Sequence, residues 1–392
     1  MNDRSVILGA ARTPIGAFLG GLAPLKAPEL GAIAIRCAVE RSGVAADSIE
    51  EVFMGSVVQA GVGQAPARQA SLGAGLSRSV PCTTINKVCG SGLKAVMLAA
   101  SQIAAGEYGV IVAGGMESMS NAPYLLRGLR QGLPLGEHPM EDANLTDGLV
   151  DAYGGGHMGL GGEKAAAKAG LSREDQDRFA LRSYEKALAA QRSGAFDAEI
   201  VPVEVKGRKG QVTRVERDET PRETSLDALA ALKPAFKVDG TVTAGNASKL
   251  NDGAAALVIA GETRARGLGA TPLARIVAQA QFAREPDLFL LAPSGAIARV
   301  LDKAGWAVGD VDLFEVNEAF SGVEAVRREL GIPEERFNVN GGAVALGHPI
   351  GSSGARLLVT LLYALRARGK TRGVVSLCLG GGEAVAVAVE NG

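Results

Sequence analysis

The sequence predicts an α/β fold made of two similar halves, with a further segment inserted between them. Short runs rich in Val and Ile alternate with longer stretches of helical periodicity along the 392 residues. The pattern of the first half returns in the second half, whereas residues 121–248 match neither copy. Such alternation predicts helices layered on sheets whose strands are buried and largely parallel.

The strands and helices follow from their apolar spacing and length. Compact apolar runs predict strands at 5–11, 50–57, 108–115, 273–281, 311–319 and 373–382, followed by a last strand at the end of the chain. Longer stretches with one apolar face predict helices at 29–43, 91–107, 294–305 and 352–369. The length suits two core-bearing domains.

The internal repeat is defined by equivalent glycines. Gly92 and Gly354 are 262 residues apart, and Gly114 and Gly380 are 266 apart. Because the offset changes by only four residues over such a length, we predict two copies of one α/β unit.

The inserted segment carries a helix and a basic ribbon. Residues 172–194 predict a helix that begins with the capping pattern Ser172-x-x-Asp175. Residues 206–219 are basic and polar, which fits a solvated hairpin or a contact with a phosphate-bearing ligand. Insertions at strand ends commonly cover binding sites, so both interpretations stay open.

Composition and charge exclude several classes of protein. A net charge of −1 gives no general attraction to nucleic acid or to an anionic membrane. No apolar run approaches the ~20 residues of a membrane helix, and the first residues show no signal-peptide pattern. Four cysteines and three scattered histidines fit neither a disulfide scaffold nor a zinc site. We therefore expect a cytoplasmic protein without a metal, a membrane or a nucleic acid.

Cys89 lies between a predicted strand and a predicted helix, with glycines on its C-terminal side. A thiol at a helix N-terminus experiences the positive end of the helix dipole, which favours the thiolate. Free cysteine is also one of the most frequently buried residues and often has no chemical role. Cys89 alone therefore fits both a nucleophile and a core residue.

The second half of the chain strengthens the nucleophile hypothesis. His348 precedes by three residues the counterpart of Cys89, so facing halves would bring it near that thiol as a base. Cys378 ends a strand before Gly380–Gly382, whose N–H groups could stabilise an oxyanion. Asn317 ends another strand and could hold a water. Two thiols and an imidazole suit Claisen condensation of thioesters, or its reverse.

The chain resembles the thiolase family, the 3-ketoacyl-CoA and acetyl-CoA C-acetyltransferases, over essentially its full length. The matching motifs include INKVCGSGLKA (85–95), GGMESMSNAPY (114–124), DGLVDAYGGGHMG (147–159), TAGNASKLNDGAAA (243–256), VNEAF (316–320), NGGAVALGHPIGSSGAR (340–356) and CLGGG (378–382). The resemblance implies a thiolase fold, with two duplicated half-domains in five α/β/α/β/α layers. It implies halves at 1–120 with 249–272 and at 273–392, and a loop domain at 121–248 for CoA binding and oligomerisation.

The resemblance also implies roles for individual residues. Cys89 takes the acyl group, and His348 activates it and binds the thioester oxygen with a water held by Asn317. Cys378 is the acid and base, and the N–H groups of Cys89 and Gly380 form a second oxyanion hole. The CoA channel is implied to be lined by His157, Met158, Leu149, Phe236, Ala244, Ser248, Ala319 and Phe320, with Arg222 beside the adenine. His157 and Ser248 equally fit local loop and turn hydrogen bonding.

The implied reaction is reversible Claisen condensation and thiolysis by a ping-pong mechanism, with acyl-CoA and CoA as substrates and no separate cofactor. Residues 121–140 resemble the loop that pairs dimers, which implies a homotetramer. Bulky residues at 289–291 leave the acyl chain length open, and Glu383 stands where the family commonly has methionine. The alternatives are a decarboxylating condensing enzyme, or a thiolase-like subunit that only binds acyl-CoA.

Overall fold

A continuous mixed sheet forms the framework of the molecule. The computed structural model describes residues 3–154, 156–207 and 210–391. Within them the sheet runs in the order β12-β13-β14-β11-β1-β10-β5-β3-β4, with β2 paired to β10. The strands are β1 Ser5–Arg12, β2 Gly16–Ala17, β3 Glu51–Gly55, β4 Cys82–Ile85, β5 Val110–Ser118, β6 Tyr124–Leu125, β7 Glu141–Asp142, β8 Val203–Lys206, β9 Val212–Val215, β10 Asn251–Gly261, β11 Ala274–Ala283, β12 Leu313–Val316, β13 Arg372–Leu379 and β14 Glu383–Asn391.

Helices cover the sheet on its outer faces and fill the space between its halves. They are α1 Ala27–Ser42, α2 Pro66–Ala74, α3 Ser91–Ala105, α4 Met158–Lys168, α5 Arg173–Ser193, α6 Leu226–Ala230, α7 Glu262–Gly267, α8 Ala292–Ala304, α9 Glu324–Glu329, α10 Ala343–Leu346 and α11 Ile350–Ala367. Helix α1 packs on β1, β5 and β10, α8 packs on β11 and β14, and α3 packs against α11 in the middle. This arrangement confirms the predicted five layers.

A pseudo-twofold axis relates the two halves. Each half contributes its innermost strand, β1 or β11, to the join in the middle of the sheet. These two strands pair antiparallel at Val6–Arg275 and Ile7–Ala274. At the crossing of α3 and α11, a Cβ on Gly92 would lie 2.9 Å from the Ala355 nitrogen, and one on Gly354 would lie 2.6 Å from the Leu93 nitrogen. The glycines found from the repeat are therefore the points of closest helix approach.

The prediction of largely parallel strands was wrong. Among the strands that the structure describes, the pairs β3–β4, β3–β5 and β12–β13 are parallel, whereas β1–β10, β10–β5, β11–β14, β13–β14 and β1–β11 are antiparallel. A tight turn of three glycines after β13 forces β14 to return antiparallel. The long insertion lets β10 do the same beside β5. The alanine-rich β10 was not predicted, because its unbroken apolar run shows no period of two.

The insertion contains the predicted helix and hairpin. Helix α5 begins with the predicted capping box, in which Ser172 and Asp175 exchange side-chain to backbone hydrogen bonds. Strands β8 and β9 pair as an antiparallel hairpin with a mostly exposed outer face, in line with the hairpin interpretation of the basic ribbon. Arg208 and Lys209 of that ribbon lie outside the described residues.

One segment has the apolar character of a membrane span. Val88–Ala105 has a mean hydropathy of 1.3, although no such run was predicted from the sequence. Over half of the segment is buried within the protein, because it includes α3 between the two halves of the sheet. A core helix in this position requires the same composition as a membrane helix.

Candidate active site

The turn that holds Cys89, residues 86–91 and called the Cys89 turn below, is fixed by its own polar side chains. The Val88 N–H donates to Asn86 Oδ1 at 3.0 Å, and the Lys87 N–H donates to Ser91 Oγ at 2.8 Å. Val88 has a φ of 47°, a left-handed conformation that β-branched residues rarely adopt. Such strain concentrates at functional sites. The turn presents Cys89 just before α3, at the positive end of the helix.

A second turn, residues 380–382 and called the glycine turn below, lies against the Cys89 turn. It joins β13 to β14 one residue after Cys378, and the N–H of its first residue, Gly380, lies near enough to the Cys89 sulphur to act against the rise in the pKa of that thiol. Cys378 is fully buried, and its ionisation is disfavoured by the nearby Cys89. The structure therefore brings Cys89, Cys378 and Gly380 together, as the family resemblance implies.

His348 is held as a neutral base. Its Nδ1 lies 2.6 Å from Ser353 Oγ, and that hydroxyl donates its proton to the Pro349 carbonyl at 2.9 Å. The hydroxyl oxygen therefore accepts from Nδ1–H, which leaves the lone pair on Nε2. Within the described residues Nε2 is buried and has no partner, so it is free to accept a proton from a substrate or from Cys89.

Asn317 supplies a second group that is free for a ligand. Both side-chain atoms of its amide are buried, and neither has a partner in the described part of the chain. A buried amide normally satisfies its hydrogen-bonding groups. The unsatisfied amide therefore points to a bound water or ligand atom at this position.

Two further polar residues hold the site together, and the sequence reasoning did not single them out. Glu117 accepts from the N–H groups of Val57 and Gly351 at 3.0 and 2.9 Å, which ties β3 to the start of α11. Asn251 Oδ1 accepts from the His348 N–H at 2.9 Å. Both residues stand inside motifs that carry the family resemblance, which was the available signal.

The thiols and the imidazole are neutral before substrate binds. Burial raises the pKa of the Cys89 thiol to about 12, against the effect of the Cys89 and Gly380 N–H groups. Burial, and then the Cys89 sulphur, raise the pKa of Cys378 well above its usual range. Burial and the nearby Arg356 guanidinium lower the pKa of His348 to about 3. Cys89 therefore requires a base, and His348 is in the protonation state to be one.

An aromatic row extends from the predicted CoA channel. His157 stacks on Phe236 at 4.5 Å between ring centroids, and Phe236 meets Phe320 edge-on at 6.1 Å. Phe320 in turn meets Phe289 at 6.3 Å. A cavity of about 100 Å³ opens beside this row and is lined by His157, Met158, Leu160, Lys164, Asp287 and Phe289.

The other predicted channel residues lie at different points around the insertion. Ser248 donates its N–H to the Ala319 carbonyl at 3.0 Å, next to Phe320. Leu149 is partly exposed at the end of a single π-type turn, and Ala244 is exposed in the turn 243–246. Arg222 is exposed and lies over the Tyr184 ring of α5, 5.9 Å from its centroid.

The bulky segment 289–291 is buried within the C-terminal half. A Cβ on Gly161 would lie 2.8 Å from the Phe289 ring, so the ring contacts α4 directly. A Cβ on Gly322 would lie 2.8 Å from Leu290 Cδ2, so Leu290 packs directly on that glycine. These side chains fill space between α4 and the turn that follows β12.

Glu383 has a partner that the sequence did not reveal. Its carboxylate forms an ion pair with the Lys87 ammonium group, across 296 residues of chain. Lys87 precedes Cys89 by two residues, and Glu383 follows the glycine turn directly.

The geometry supports acyl transfer through a thiol, with a second thiol for proton transfer and N–H groups for an oxyanion. In the described residues no cluster of three or more His, Cys, Asp or Glu side chains has a metal-binding arrangement.

Comparisons with known proteins agree with this chemistry. Residues 5–263 match the family model described as "Thiolase, N-terminal domain", and residues 270–391 match "Thiolase, C-terminal domain". An acetyl-CoA acetyltransferase of Escherichia coli is 53% identical over 388 residues, covering 98% of each chain. One from Cupriavidus necator is 51% identical over 387 residues, also with 98% of each chain covered.

Similar relatives extend to animals and to a solved structure. A cytosolic acetyl-CoA acetyltransferase of Mus musculus is 50% identical over 395 residues, covering 100% of this chain and 99% of the relative. The structure of an acetyl-CoA acetyltransferase from Syntrophomonas wolfei superposes with a TM-score of 0.97 at 40% identity and covers both chains completely.

Proposed function

We propose how the residues of this chain perform the reaction, given that the chain belongs to the thiolase family. It is an acyl-CoA C-acyltransferase that catalyses reversible Claisen condensation and thiolysis. The observation that carries the proposal is the proximity of Cys89, Cys378 and the Gly380 N–H, together with a buried His348 whose Nε2 has no partner within the described residues.

In the first half-reaction, His348 Nε2 takes the proton from Cys89. The Cys89 sulphur attacks the thioester carbonyl carbon, and the carbon–sulphur bond to CoA breaks. Cys378 gives its proton to the departing CoA thiolate, which leaves an acyl-Cys89, an imidazolium and a Cys378 thiolate. The Cys89 and Gly380 N–H groups stabilise the tetrahedral oxyanion, a contribution of roughly 10²–10³ in rate for each donor.

In the second half-reaction, the Cys378 thiolate removes a proton from the α-carbon of a second acyl-CoA. His348 and a water on Asn317 stabilise the enolate oxygen. The enolate carbon attacks the acyl-Cys89 carbonyl, the Cys89–acyl bond breaks, and His348 returns its proton to Cys89. All groups regain their starting state, and the reverse order gives thiolysis.

Short acyl chains are the substrates we propose. The relatives that share about half of their residues with this chain are acetyl-CoA acetyltransferases, and Phe289, Leu290 and Leu291 fill the region beside the aromatic row. CoA is proposed to bind along the row of His157, Phe236 and Phe320, with the adenine near Arg222. The enzyme would form acetoacetyl-CoA from two acetyl-CoA molecules, or cleave it.

We also propose where the enzyme works and how its subunits assemble. Two relatives are named cytosolic, which supports the cytoplasm as the location. Lipid or fatty-acid metabolism is the context we propose, because acyl-CoA thioesters are the proposed substrates. The segment 121–140 exposes apolar side chains, Leu129 and Leu135 among them, which supports assembly of dimers into a tetramer. We propose no metal or separate cofactor.

The deciding experiment is thiolysis of 3-ketoacyl-CoAs of increasing length, beginning with acetoacetyl-CoA and free CoA. We expect rapid cleavage of acetoacetyl-CoA, with rates that fall as the chain lengthens. Absence of cleavage at every length would favour a decarboxylating condensing enzyme or a subunit that only binds acyl-CoA.

Intact-mass spectrometry tests the residue roles. Cys89→Ala should abolish the acyl adduct. Cys378→Ala should keep an adduct on Cys89 but lose carbon–carbon bond exchange. An adduct that persists in the Cys89→Ala protein would show that another residue is the nucleophile.

A further inference from the structure

The Lys87–Glu383 ion pair connects the two turns that build the acyl-transfer site. Lys87 belongs to the Cys89 turn, and Glu383 is the first residue of β14 after the glycine turn. Both side chains are partly buried, so water screens their attraction less than at an open surface.

The backbone of each turn also lies against a side chain from the other side of the contact. A Cβ on Gly90 would lie 2.5 Å from Leu379 Cδ2, and one on Gly380 would lie 3.4 Å from the Val88 side chain. The contacts therefore leave little space for a side chain between the turns. The ion pair adds a further link between the same two turns, through a residue of the Cys89 turn and the residue that follows the glycine turn.

The glycine turn is held from outside at its C-terminal end, where the Gly382 carbonyl accepts from the Arg284 N–H at 2.9 Å, and the ion pair adds a second link. Gly381 and Gly382 have φ values of 89° and 81°, and glycine permits many other conformations at the same positions. The N–H that faces Cys89 belongs to this turn, so its position depends on what holds the turn. A misplacement of about 1 Å in a catalytic group can cost 10²-fold in rate.

We propose that Lys87 and Glu383 are positioning residues for acyl transfer, holding the Gly380 N–H at its working distance from Cys89. The inference rests on the proposed function, because it assigns the pair a part in the acylation of Cys89. Neither side chain touches the reacting atoms; each acts through the turn that carries it.

Lys94 of α3 provides a useful comparison. Its pKa is lowered by burial and by Lys87, and the Glu383 carboxylate opposes that shift, so it lies near the same pair. Lys94→Met would remove a positive charge from this region without breaking the ion pair. The variant therefore separates the effect of local charge from the effect of position.

The test is a double-mutant cycle on the full-length enzyme. Acetoacetyl-CoA thiolysis is measured for four variants. They are Lys87→Met, Glu383→Met, the double variant that combines both changes, and the charge exchange that combines Lys87→Glu with Glu383→Lys. We expect each single change to lower kcat and the rate of Cys89 acylation about tenfold, with the KM for CoA within twofold. The double variant should lose no more than the single variants, and the charge exchange should regain at least half of the lost kcat.

Matched controls come from the same region and the same strand. Arg275→Met removes the Arg275–Glu390 ion pair at the opposite end of β14, where burial is similar. This variant and Lys94→Met should keep kcat within twofold. If Glu383→Met does not fold, Glu383→Gln, which keeps the shape of the side chain and loses its charge, replaces it throughout the cycle.

Three results would overturn the proposal. They are single variants with kcat within twofold of the parent enzyme, losses that multiply in the double variant, or a change in KM without a change in kcat. An unaltered enzyme that forms no acyl-Cys89 would overturn the proposed function and the positioning role together. Normal acylation in that enzyme, with unaffected variants, would overturn only the positioning role.

Discussion

Single atoms decide what the histidine can do. Ser353 has one hydroxyl proton, and because Pro349 accepts it, the Nδ1 of His348 must be the donor of the other hydrogen bond. The lone pair on Nε2 is thereby directed into the site. Ser353→Ala would leave the tautomer unspecified while keeping the imidazole in place.

The protonation state of Cys89 gives a prediction about pH. Burial raises the pKa of the Cys89 thiol to about 12, so only a small fraction of the thiol is ionised at pH 7. As long as the pH stays below the pKa, this thiolate fraction grows about tenfold for each unit by which the pH rises. We therefore expect the rate of Cys89 alkylation by iodoacetamide, followed by mass spectrometry of the free enzyme, to rise steadily from pH 7 to pH 9.

A rate of alkylation that stays constant over this range would contradict the prediction. It would mean that the thiolate forms an ion pair with a protonated His348 already at neutral pH.

Phe289 gives a prediction about chain length. Its ring fills space between Gly161 and Phe320, so Phe289→Ala should open room for a longer acyl chain. The ratio of kcat/KM for 3-ketohexanoyl-CoA to that for acetoacetyl-CoA should rise about tenfold, although the buried truncation costs about 3–5 kcal/mol of stability.

Phe179→Leu is the matched control, because Phe179 is also buried but packs against Phe337. It should lower stability and leave the length ratio unchanged. An unchanged ratio in Phe289→Ala would place the end of the acyl chain elsewhere.

At the scale of elements, the crossing of α3 and α11 sets the site. The first helix follows Cys89 and the second begins two residues after His348, so their separation determines how the two residues meet. Gly92 and Gly354 allow the backbones to approach until no Cβ fits between them.

Gly354→Ala tests this crossing. The new Cβ would meet the Leu93 nitrogen at 2.6 Å, and backbone cannot move aside as a flexible side chain can. Overpacking of this kind typically costs about 1–3 kcal/mol. We expect a lower urea midpoint and a reduced kcat, since each of the two helices follows directly after a turn that holds a catalytic residue.

Gly267→Ala is the control at the end of α7, where an added Cβ meets nothing within 4 Å. It should be neutral or stabilising by about 0.4–1 kcal/mol. Equal midpoints for the two variants would show that the helix crossing tolerates separation.

At the scale of the whole molecule, the segment 121–140 is the surface that suggests contact with another subunit. The loop between β6 and β7 carries three largely exposed apolar side chains, those of Leu129, Leu135 and Met140. An apolar group of this kind on one loop is typical of an interface.

Light scattering should therefore give a mass four times that of the 40.0 kDa chain. Leu129→Asp with Leu135→Asp should shift the protein to half that mass without loss of activity per subunit. A parent enzyme that is already a stable dimer would disprove the tetramer.

The amino-acid sequence by itself determined the layers and the repeat, and it predicted the principal site residues. Periodicity located β1, α3, α8 and α11, because buried strands and amphipathic helices leave distinct spacings. The repeat predicted that His348 lies near Cys89, since duplicated units related by an axis bring equivalent loops together. The family resemblance supplied the remaining roles, which are not local properties of the sequence.

The tertiary structure alone decided strand direction, the chemical state of the site and the partner of Glu383. The directions of β10 and β14 depend on how far the intervening chain travels, which local pattern does not encode. The pKa values of Cys89 and His348 depend on burial by residues from both halves. The Lys87–Glu383 pair joins positions 296 residues apart, and only folding reveals such a contact.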